Sequence, residues 1–126
     1  MSSDPVFSDW VETYKSLITI STEAFKFCAL ANGGAAVAIL AYLGNIAGKA
    51  GNTPDMRGAM AAFLAGLVFC GVGMLFAYIT QLNRLNLVAR GEQIQRDWRL
   101  VIAIVAMALS LGAFACGAWF AVSSFR

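Results

Sequence analysis

Three stretches of this chain, positions 27–48, 58–83 and 100–125, contain no aspartate, glutamate, lysine or arginine. A hydrocarbon core about 30 Å thick is crossed by about 20 helical residues rising about 1.5 Å each, and every stretch is long enough. Lipid offers no partner to a backbone N–H or C=O, so a spanning segment must be a helix or part of a closed barrel. Barrel strands run about ten residues and alternate apolar with polar side chains. These stretches are far longer and do not alternate. The pattern predicts a single all-α membrane domain of three transmembrane helices, at 27–48, 58–83 and 100–125.

Composition agrees. Of 126 residues, 60% are hydrophobic and 13% charged, whereas soluble domains carry about a quarter charged.

The chain opens "MSSDPVFSDW", with Asp4 and Asp9 where a secretory leader has lysine or arginine, so the first span is expected to direct insertion itself. Asp4-Pro5 is a helix start: Asp caps, and Pro fits the first turn. Phe7, Trp10, Tyr14, Leu17, Ile18, Ser21 and Phe25 then recur at steps of three and four, predicting an amphipathic helix over 5–25. Its polar side carries Asp9, Glu12, Lys15, Thr19 and Glu23. Helices that adhere to anionic lipid are basic there, so a protein surface is the expected partner.

Gly48 closes the first span, and Thr53-Pro54 predicts the next start near Pro54. The helical pattern of the second span continues through Leu82, Leu85 and Val88 towards Arg90-Gly91, an arginine followed by a stop glycine. Residues 84–99 form a basic turn. The flanks of the spans carry Lys15, Lys26, Arg84, Arg90, Arg96 and Arg99 on one side against Lys49, Arg57 and Arg126 on the other. The excess of positive charge predicts an N-terminus in the cytoplasm and a C-terminus outside.

Each span has a stripe of small residues. They are Gly34, Ala38 and Ala41 in the first; Gly58, Ala62, Gly66, Gly73 and Ala77 in the second; Ala113 and Gly117 in the third. Helices in lipid associate by close backbone approach rather than by hydrophobic drive, and small residues permit that approach. The stripes predict packing within the chain, with part left over for other subunits. Asn32 lies well off the first stripe at about 100° per residue, implying a second interface or a distortion at Gly33-Gly34. Asn45, Thr80, Gln81 and Ser110 complete the set of polar side chains available for contacts or for lining a path. At the membrane edge, Glu23, Lys26, Arg84, Arg90, Arg96 and Arg99 are candidates for contact with headgroups or a partner.

Cys28, Cys70 and Cys116 lie inside the windows, and the chain has no histidine. That spacing fits neither zinc nor haem, so no metal or cofactor is expected. The windows hold no acidic, basic or histidine side chain for a proton relay. No nucleophile has a base at a catalytic spacing, so the chain reads as non-enzymatic. Arginines offset by Glu92 and Asp97 make no nucleic-acid footprint.

"ALANGGAAVAILAYLGN" at 29–45, followed by "FAYITQLNR" at 76–84, resembles small uncharacterised bacterial membrane proteins with an NGGA-type first span. In size and span number the chain is also similar to three-span phage holins. The resemblance implies the bacterial inner membrane. The function expected is helix–helix assembly, as a homo-oligomer or as an accessory subunit of a membrane complex. The alternative is a pore-forming, membrane-permeabilising effector of the holin or phage-defence kind.

Overall fold

The computed structural model describes residues 5–49, 54–93 and 97–125, and these form an all-helical chain. Asp4, Thr53, Arg96 and Arg126 lie outside the described residues, so the capping roles read for Asp4 and Thr53 do too. In chain order the helices are α1 (Pro5–Ile46), α2 (Arg57–Ala89) and α3 (Trp98–Ser123). Each is long and apolar enough to cross a membrane, and the protein is a membrane protein.

α1 is continuous over 42 residues, about 63 Å at about 1.5 Å per residue. The helix expected over 5–25 is present as the first half of α1 and runs without a break into the first span. No proline follows Pro5 in this stretch, and Gly33-Gly34 lowers helix propensity without breaking the ladder. Nor is its apolar stripe a buried face: Phe7, Trp10 and Leu17 are exposed, and burial begins at Phe25. α1 ends at Ile46, and the turn that follows passes through Gly48, whose φ of 82° suits a residue without a Cβ.

α2 begins at Arg57 rather than Pro54; Asp55 Oδ1 accepts the Arg57 backbone N–H at 3.1 Å. It continues through Arg84 to Ala89, so the turn read over 84–99 is shorter than its sequence bounds. The end is a Schellman motif: Glu92 N–H donates to Leu87 O at 3.0 Å and Gly91 N–H to Val88 O at 3.1 Å. Gly91 supplies the left-handed φ of 71°. Asp97 caps α3 by accepting the Arg99 N–H at 3.1 Å.

α2 and α3 form an extensively packed hairpin; α1 lies mainly on α2 and touches α3 locally. Two apolar clusters fill the bundle. One gathers Ala36, Ile39, Met56, Ala59 and Phe63; the other gathers Phe25, Cys28 and Cys70. Between them sits a polar junction.

Candidate functional site

The junction joins all three helices through Asn32, Gly66 and Ser110. Asn32 and Ser110 are fully buried, and Ser110 stands at mid-length of α3. Asn32 Nδ2 donates to Cys28 O at 3.0 Å, Ser110 Oγ at 3.2 Å and Ser110 O at 3.4 Å. Ser110 Oγ in turn donates to Gly66 O at 2.8 Å. An amide facing acyl chains would be costly, and turned inwards it links α1, α3 and α2 in one chain of bonds. The second interface implied by Asn32 is thus the bundle interior; α1 needs no distortion at Gly33-Gly34.

Three glycines admit side chains from neighbouring helices. A Cβ on Gly66 would fall inside the Asn32 carboxamide. One on Gly73 would lie 2.9 Å from Phe25 Cε1 and 3.3 Å from Ala103 O; one on Gly117, 2.9 Å from the Phe63 ring. Asn32 Oδ1 has no hydrogen-bond partner. It lies against Gly66 on the side where a Cβ would stand, where the glycine presents a Cα hydrogen, as in a weak C–H···O contact.

The small-residue stripes divide accordingly. Gly66, Gly73 and Gly117 are buried, and Ala62, Ala77 and Ala113 half-buried, inside the bundle. Gly58 is exposed, with Phe120 at 3.8 Å from its Cβ direction. Gly34, Ala38 and Ala41 all face outwards, and a Cβ on Gly34 would meet nothing within 4 Å. The side of α1 that packs inside the chain is Phe25, Cys28, Asn32, Ala36 and Ile39. Of that face only Cys28 and Ala36 are small, so it forms no small-residue stripe. Asn32 is its signal, because a polar side chain in a span marks the inward side.

The remaining polar candidates scatter. Thr80 is buried and its Oγ1 donates to Phe76 O at 2.9 Å. Asn45 is exposed at the far end, accepting from Lys49 Nζ at 3.5 Å. Gln81 Oε1 accepts the Tyr14 hydroxyl at 3.0 Å. Only Asn32 and Ser110 come together.

At the edge, Lys26 and Glu23 form an exposed ion pair at 2.7 Å, a contact that adds little in water. Arg84 is half-buried, while Arg90 is exposed beyond the end of α2. Arg99 is half-buried in the first turn of α3. A groove of about 820 Å³ opens where α1 runs beside the end of α2, lined by Trp10 and Tyr14 on one side and Tyr78, Leu82, Arg84 and Leu85 on the other. Trp10 and Tyr14 stack at 5.7 Å between ring centroids.

No protein-family model, curated protein or solved structure matches this chain. Cys28 and Cys70 sit buried in one cluster and Cys116 is exposed, all three as free thiols. Among the described residues, no cluster of metal-ligating side chains forms.

Proposed function

We propose that this chain is a non-enzymatic membrane protein that acts by assembling helices, as a homo-oligomer or as an accessory subunit of a membrane complex. The observation that carries this reading is the outward face Gly34–Ala38–Ala41, a strip suited to close helix approach that the chain's own helices leave uncovered. The finer reading places it in a bacterial inner membrane with the N-terminus in the cytoplasm, on the six-to-three excess of lysine and arginine.

A permeabilising effector is the competing reading. It needs polar side chains along one path, and in this chain Asn32 donates to Ser110 inside the bundle while Thr80 bonds its own helix. Assembly is the better supported. The test is the mass of the particle held in a lipid nanodisc: several copies, or one copy with a co-purifying membrane protein, is the expected result. A lone monomer from native membranes would sink the proposal.

A further inference from the structure

Beyond the bundle, the first half of α1 and the end of α2 rise as a two-helix arm. Ala103 O lies 3.3 Å from the Cβ direction of Gly73, so α3, which starts at Trp98, reaches only about the level of Tyr78. Two helices do not enclose a core, and the arm leaves Phe7, Trp10, Leu82, Leu85 and Val88 exposed. Its groove holds one charged residue among the described lining, Arg84, whose Nε is buried with no hydrogen-bond partner.

We propose that this groove seats the acidic side of α1 from a second copy of the chain, with Asp9 or Glu12 of that copy meeting Arg84. The proposal rests on the homo-oligomer reading above and names its contact surface. Asp9 and Glu12 are exposed, and the one ion pair among the described residues is Lys26–Glu23. The Tyr14–Gln81 bond sets the register: in antiparallel helices, Asp9 and Glu12 stand level with residues 83–86. The acids and Arg84 share a height, yet a chain cannot pair them itself. At about 100° per residue, the Asp9–Glu12 side lies roughly 150° around α1 from the Trp10–Tyr14 edge of the groove.

The bilayer narrows the choice of occupant. Copies inserted the same way hold equal residues at equal depth, so the groove meets residues 5–18 or 78–99 of a neighbour. In 78–99 the acids Glu92 and Asp97 are outnumbered by Arg84, Arg90, Arg96 and Arg99, whereas in 5–18 Asp9 and Glu12 outnumber Lys15. The two surfaces lie on opposite sides of the arm, so the contact is heterologous and joins copies head to tail, as a ring where the rotation closes and as an open array where it does not, rather than as a two-fold dimer. The neighbour's α1 becomes the third helix that the arm lacks.

The test uses the full chain in nanodiscs of anionic lipid, in a Cys116→Ala background. Glu12→Cys with Arg84→Cys in one chain is expected to give, on mild oxidation, a ladder of crosslinked copies. Mixing the two single-cysteine chains should stop at dimers. Arg84→Glu should cut the assembled fraction about tenfold or more, and Asp9→Arg with Glu12→Arg should restore it, with helical circular dichroism unchanged throughout. If the unsubstituted particle is monomeric, the homo-oligomer reading falls and takes this inference with it. If it is oligomeric, yet gives no ladder and ignores Arg84→Glu, the inference alone is overturned. Loss of assembly with Arg84→Glu in anionic but not neutral lipid, without crosslinks, would assign the groove to a headgroup and equally overturn it.

Discussion

The carboxamide of Asn32 occupies the space that a side chain at Gly66 would need. One residue is polar and the other bare for the same reason: α1 and α2 approach closely near mid-height, and the amide must reach Ser110 across that contact. Gly66→Ala should therefore destabilise the bundle by about 1–3 kcal/mol, the usual cost of overpacking. Asn32→Ala alone should cost about 1 kcal/mol, near the range for interhelical hydrogen bonds in membranes. Combined, the two should cost less than their sum, since the alanine at 32 vacates the space that the alanine at 66 fills. Unfolding of detergent-held protein in SDS measures all three; strict additivity would contradict the geometry.

Glycines on the two kinds of face should behave differently. Gly117 receives the Phe63 ring, so Gly117→Leu should prevent the hairpin of α2 and α3 from closing and lower the yield of folded protein. Gly34 faces outwards with open space around it. Gly34→Leu should leave the single chain as stable as before and act on particle mass alone, by holding a neighbouring helix away. Mass and thermal stability measured together separate the two effects.

Thiol reactivity offers an inexpensive check on the side of α1 that packs inwards. Cys28 and Cys70 are 1% and 2% exposed, whereas Cys116 faces outwards. A small apolar maleimide should modify at most one thiol per folded chain, Cys116, and all three after unfolding in SDS. Labelling of Cys28 in the folded protein, read by peptide mass, would mean that α1 is rotated from its described position.

Overproduction should leave the membrane potential intact, because the junction is closed by its own hydrogen bonds. Voltage-sensitive dye fluorescence in cells making the chain is expected to match that of control cells, and Asn32→Leu should change stability without any leak to abolish. Depolarisation that disappears with Asn32→Leu would favour the permeabilising reading over assembly.

The number of helices was legible from charge alone, since a charged side chain is costly in hydrocarbon and its absence over 27–48, 58–83 and 100–125 leaves little alternative to spanning. The end of α2 was legible as well: Arg90-Gly91 carries the left-handed stop within two residues, and nothing distant is needed to produce it. The face of α1 that packs was not. In water one side of a helix is apolar and the other polar; in lipid both are apolar, and hydrophobicity gives no contrast by which to choose. From the residues of α1 alone the small stripe Gly34–Ala38–Ala41 is one packing face and Asn32 marks another, Phe25–Cys28–Asn32–Ala36–Ile39, with nothing to say which of them the chain's own helices take. The decision came from partners far along the chain: Ser110, 78 positions from Asn32, the cleft at Gly66, and the cleft at Gly73 that takes Phe25. Steric fit and the hydrogen bonds donated by one amide, rather than burial of apolar surface, set how the three helices meet.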